Sequence, residues 1–123
     1  MTQVHAFSNS PIKASSVIGT DVVNPKGENL GEIKEVVIDP VTGRVAYSVV
    51  GFGGFMGLGE KLFAIPFSAF EFDPAKNEYV LDVSQAALKA APGFDSDKWP
   101  AFADEKWNRA IYKYYERTPY WEQ

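Results

Sequence analysis

Short apolar runs separated by turn phrases fill the first two thirds of the chain. "LGEIKEVVID", "RVAYSVVGF", "EKLFAIP", "FEF" and "EYVLDV" are rich in β-branched and aromatic residues and read as strands. Val45, Tyr47 and Val49 share one face of their strand, and Tyr79, Leu81 and Val83 share one of theirs. Ile33, Val36 and Ile38 break strict alternation, which predicts a bulge or a strand covered on both faces. A strand around "TDVVN" brings the number to six. The turn phrases "NPKG", "DPVTG" and "DPAKN" each open with Asn or Asp before proline. Proline presets the turn, the Asn or Asp side chain bonds the turn backbone, and Gly or Asn accepts the left-handed residue that closes it. These are hairpin connections. Six short antiparallel strands joined this way predict a mainly β fold that curls into a small barrel.

The pattern changes after Val83. "SQAALKAAP" predicts a helix of about two turns, with Ser84 as N-cap and Pro92 as stop. In "ADEKWNRAIYKYYER" the apolar positions Ala103, Trp107, Ala110, Ile111 and Tyr114 fall on one helical face. Asp104 and Glu105 lie in its first turn and Arg117 in its last, as the helix dipole prefers. An amphipathic helix over Ala103 to Arg117 is expected.

Composition narrows the classes. A chain of 123 residues, 46% hydrophobic, closes one core of ordinary size. No apolar run approaches the roughly 18 residues of a membrane span, and the first residues lack the basic start and apolar stretch of a secretory signal, so a cytoplasmic location is expected. The absence of cysteine removes disulfides, thiolate metal sites and thiol nucleophiles. The formal net charge of −4 argues against nucleic acid as a partner. The single histidine, His5, sits in a terminal arm and reads as a solvated residue.

Candidate chemistry is sparse. In "GFGGFMGLGEK" five glycines, Gly51, Gly53, Gly54, Gly57 and Gly59, fall within nine residues. The phosphate-loop spelling fails at Glu60, where lysine is required, and no hydroxyl follows Lys61 for a magnesium ion. A structural loop is the expectation, with glycines supplying positive φ at a rim and Phe55, Met56 and Leu58 projecting between them. Those three side chains either tuck over the barrel or meet a partner. Glu28, Glu32, Glu35 and Asp39 lie beside Lys34 and read as a solvated charged face. "DSD" at Asp95 to Asp97 is cut off as a calcium loop by Trp99 and Pro100. Lys106, Arg109, Lys113 and Arg117 line one flank of the last helix, either as a solvated border or as the one feature that would suit RNA.

Taken together, "IGTDVVNPKGENLGEIKEVVIDP", the glycine loop with "IPFSAF", and "YVLDVSQAALKAAPGF" resemble a PRC-barrel domain over Ile18 to Phe94. Similar domains form the cytoplasmic part of the photosynthetic reaction centre H subunit and the C-terminal half of a ribosome maturation factor, and others stand alone in bacteria and archaea. The resemblance implies a small β-barrel used as a binding module and does not imply catalysis; the residues themselves offer no expected catalytic, cofactor-binding or metal-binding group. It divides the chain into an N-terminal arm, 1–17, a barrel domain, 18–94, and an extension, 95–123. Beyond the resemblance, the extension holds eight of the chain's eighteen aromatic residues within 23 positions. Such density predicts that its helix is covered, either by its own barrel or across a two-fold dimer interface. The candidate partner-binding residues are Phe55, Met56, Leu58, Trp107, Ile111, Tyr114, Tyr115 and Trp121. The expected function is a non-enzymatic adaptor that binds protein, including its own copy. An RNA- or ribosome-associated accessory protein is the alternative, and an enzyme of unknown type the third.

Overall fold

The computed structural model describes residues 11–53 and 60–123. Six strands form one sheet: β1 (Asp21–Val23), β2 (Asn29–Ile38), β3 (Val45–Phe52), β4 (Lys61–Pro66), β5 (Phe70–Asp73) and β6 (Glu78–Leu81), in the order β4-β3-β2-β1-β6-β5. A helical turn, α1 (Ala14–Val17), precedes them and places Val17 in the core. Helix α2 (Gln85–Ala90) follows β6, and α3 (Glu105–Tyr114) lies in the extension. The helix expected over residues 103–117 is thus shorter at both ends.

All three turn phrases close as their spelling requires. Asn24 Oδ1 accepts from the N–H groups of Lys26 and Glu28, Asp39 Oδ1 from Val41 and Thr42, and Asp73 Oδ1 from Ala75 and Lys76. The closing residues Gly27, Gly43 and Asn77 take φ values of +82°, +77° and +51°. Ser84 caps α2 by accepting from Ala87 N–H at 3.0 Å.

The broken alternation in β2 is a bulge. Ile33 faces Val50 and Glu35 faces Val49, so β2 advances two residues for one on β3. A second irregularity takes Ala46 out of register, because Val37 faces Tyr47 while Ile38 faces Val45.

Two expectations about the sheet need correction. It is mixed, not wholly antiparallel: β6 runs parallel to β1, pairing Val22 with Tyr79 and Val23 with Val80. A 3-10 corner at Phe67–Ala69 leads from β4 into β5 without the reversal a hairpin would give, and this inverts the sense in which β6 reaches β1. The sheet also curls without hydrogen-bonded closure, since β4 and β5 are its edges. The β4 edge is covered in part by Phe94, which exchanges backbone bonds of 2.9 Å with Leu62 in both directions.

Burial runs unbroken along Ala46–Phe52 and Leu62–Pro66. These strands are covered on both faces, and α3 supplies much of the outer cover: its Ile111 and Tyr112, with Tyr115 just beyond, join the same core as Val22, Leu30, Ile33, Val50 and Leu88. The helix therefore lies over its own barrel.

In the glycine loop, Gly51 and Gly53 are described, while Gly54, Phe55, Met56, Gly57, Leu58 and Gly59 lie outside the described residues. Gly53 has φ +82°, and beyond its chain neighbours no described residue comes within 4 Å of where its Cβ would stand. Gly53→Val is expected to cost about 1–3 kcal/mol through backbone strain alone. Thermal melting reads this directly, and an unchanged midpoint would contradict it.

Candidate functional site

Asp104 starts α3 by accepting from the N–H groups of Lys106 and Trp107, at 3.0 and 3.3 Å. The helix then presents Asn108, Ile111 and Tyr112 inward. Asn108 is the polar pivot of this contact. Its amide nitrogen donates to the carbonyls of Phe102 and Asp104, each at 2.8 Å, and its oxygen accepts from the Tyr47 hydroxyl. Tyr112 donates to the Ala46 carbonyl at 2.7 Å, the carbonyl that the β3 irregularity takes out of register. Burial pushes the Tyr47 and Tyr112 hydroxyls well above the usual tyrosine range, so both remain protonated donors.

An aromatic chain runs outward from this core. Tyr47 touches Trp107 at 5.5 Å between ring centroids, Trp107 touches Phe102 at 5.7 Å, and Phe102 touches Trp99 at 6.2 Å. At its outer end Trp99 and Phe102 are 41% and 36% exposed, and Trp121 is 37% exposed. Phe102 and Trp121 line an open groove of about 410 Å³ with Ala103, Glu105, Asn108, Arg109 and Tyr120.

The last residues form a strap. After Pro119 a single 3-10 turn, Tyr120–Glu122, places the Tyr120 hydroxyl 2.6 Å from Asp39 Oδ2 as donor. Arg44 donates to the Tyr120 carbonyl, and Arg109 donates to Glu105 and Glu122, both at 2.8 Å. The bond from Tyr120 holds the Asp39 carboxyl below the usual carboxylate range. That tie is present at neutral pH and is lost as pH falls through the depressed value.

The residues singled out in the sequence separate into groups. Ile111 and Tyr115 are buried within the chain's own core, Trp107 is half-buried against it, and Tyr114 and Trp121 are exposed. Tyr114 donates to the Ala87 carbonyl at 2.7 Å and so ties α3 to α2. Phe55, Met56 and Leu58 lie outside the described residues. On the basic flank, Arg109 is closed by two carboxylates and its guanidinium lies 5.5 Å from the Trp121 ring centroid. Lys34 bridges Glu32 at 2.8 Å and Glu60 at 3.8 Å, consistent with a charged face. Sequence reasoning missed Asn108 as the extension's polar contact with Tyr47, and Asp39 and Arg44 as partners of the extension. The expected inward face, Ala103, Trp107, Ala110, Ile111 and Tyr114, is corrected to Asn108, Ile111 and Tyr112, since Ala103, Ala110 and Tyr114 are exposed. Among the described residues no three His, Cys, Asp or Glu side chains group closely enough to hold a metal ion. No helix among them is long and apolar enough to cross a membrane.

The family model of the PRC-barrel domain matches residues 11–88, which span the whole sheet and most of α2. No curated protein matches the chain. Helix α3, the groove and the strap all lie beyond the matched residues.

Proposed function

The chain belongs to the PRC-barrel family, and we propose that it is a non-catalytic module that docks protein, its own second copy included, through the aromatic face of its extension. One observation carries this reading: Phe102 and Trp121 stay exposed beside Arg109, with Trp99 exposed next to Phe102, although Ile111, Tyr112 and Tyr115 of the same extension pack inward. Exposed large rings leave apolar surface in water, which soluble chains keep small unless a partner covers it. Tryptophan and arginine are also the side chains on which interface energy most often concentrates. Protein is favoured over RNA because Arg109 is already paired with Glu105 and Glu122 and the chain is net acidic.

Sedimentation of the full chain from low to high micromolar concentration tests this reading. A dimer is expected, with Trp99→Ala and Phe102→Ala each weakening it about tenfold or more while far-UV circular dichroism is unchanged. A chain that stays monomeric throughout, or a dimer indifferent to both substitutions, would contradict the proposal.

A further inference from the structure

Helix α3 ends in a Schellman arrangement. Arg117 N–H donates to the Tyr112 carbonyl at 2.9 Å, and Glu116 N–H donates to the Lys113 carbonyl at 3.1 Å. This geometry puts residue 116 in the left-handed region, where glycine is the usual occupant because a Cβ is crowded there. The occupant is an exposed glutamate with φ +56°. A short, strained hinge thus stands immediately before the strap.

The strap itself is held by surface ties. Tyr120 bonds Asp39, Arg44 bonds the Tyr120 carbonyl and, at 3.4 Å, the Gln123 carbonyl, and Glu122 pairs with Arg109. Trp121 packs edge-on against Tyr112 at 5.6 Å. No residue from Glu116 to Gln123 is buried. The seat belongs to other elements: the β2–β3 turn supplies Asp39 and Arg44, and α3 supplies Arg109 and Tyr112. A carboxylate, two guanidinium groups and a tyrosine ring make a receptor for a short peptide bearing proline, two aromatic residues and an acid.

We propose that this seat is an exchange site, at which segment Thr118–Gln123 of a second copy of the chain replaces the chain's own. The inference rests on the self-association put forward above and names one route to it. Closed and exchanged forms make the same strap contacts, so the balance between them is set by the hinge and by concentration. Closure within one chain has the advantage of a short tether. The left-handed Glu116 opposes it, and opening the hinge to an extended backbone relieves the crowding. Exchange is therefore favoured by strain at a single residue.

The test uses full-length chains and sedimentation equilibrium. Glu116→Gly removes the crowding and is expected to weaken the dimer about tenfold. Glu116→Pro fixes φ near −65° and forbids the closed turn, so this variant should dimerise at concentrations where the glycine variant is monomeric. Should the proline variant not fold, the comparison of Glu116→Gly with the parent chain decides. A mixing experiment reads exchange independently. Arg109→Glu and Glu122→Arg each place like charges between strap and seat, but exchange between the two variants restores opposite charges at both seats. Their mixture should form a heterodimer about tenfold tighter than either homodimer. Equal dissociation constants for the parent and Glu116→Gly, or a mixture that sediments as the sum of its parts, would overturn the inference. A dimer that responds to Trp99 and Phe102 but not to residue 116 would leave the docking reading standing and remove exchange alone.

Discussion

Tyr112→Ala should leave much of the chain unfolded at room temperature, although residue 112 lies outside residues 11–88, which the family match covers. Tyr112 is 1% exposed, and its ring meets Tyr47 at 5.4 Å, Trp121 at 5.6 Å and Tyr120 at 6.3 Å. Removing a buried aromatic ring costs about 3–5 kcal/mol in lost transfer energy and cavity. Loss of the hydroxyl leaves the Ala46 carbonyl, already out of register with β2, without its donor. An orphaned buried acceptor adds about 1–3 kcal/mol. The sum is comparable with the whole stability of a small domain, about 5–15 kcal/mol. Urea denaturation followed by circular dichroism measures it, and Tyr112→Phe isolates the hydroxyl's share. A Tyr112→Ala midpoint close to that of the parent chain would show that α3 is an ornament on the barrel and not part of its core.

Gly31→Ala should be nearly as damaging, for a reason confined to one methyl group. Gly31 has φ +99°, and a Cβ there would stand 2.0 Å from the Gly51 carbonyl oxygen and 3.2 Å from the Phe52 Cα. The obstacle is backbone in β3, so no side-chain rotation relieves it. The β2–β3 pairing must part or shift, and a cost above about 3 kcal/mol is expected from overpacking and left-handed strain together. Gly53 is the internal comparison, because it has a similar φ of +82° with no described residue beyond its chain neighbours within 4 Å of the missing Cβ. Gly53→Ala should lose only the strain, about 1–2 kcal/mol. Equal melting of the two alanine variants would show that the close approach at Gly31 is not a constraint.

These two residues also show what the sequence exposed and what it concealed. Asn24, Asp39 and Asp73 declared their turns because an Asx side chain, a proline and a closing Gly or Asn act within five residues. The six strands and the Ser84 cap were legible for the same reason: local chemistry decides them. Gly31 sat in the "LGEI" phrase that supports the family resemblance, yet its purpose depends on Gly51, which only pairing of β2 with β3 brings near. The parallel seating of β6 on β1 depends on the 3-10 corner at Phe67–Ala69, where nothing in the spelling marks a missing reversal. The extension was the least legible. Its aromatic density announced cover, which Ile111, Tyr112 and Tyr115 find in the core while Trp99, Phe102 and Trp121 stay exposed; the partners of Asn108 and Tyr112 lie in β3, and Tyr120 reaches back to Asp39. Such contacts are settled by packing of distant segments, and periodicity along one helix carries no record of them.

Docking through the exposed aromatic face is tested most directly by recording the three tryptophan indole N–H signals of the full chain by nuclear magnetic resonance across a dilution series. Trp99 and Trp121 stand on the exposed face, whereas Trp107 is half-buried against the core. The expected result is that the Trp99 and Trp121 signals move together with concentration along one saturable curve, with a much smaller displacement at Trp107. Signals that hold still up to high micromolar concentration, or that move only at Trp107, would contradict it.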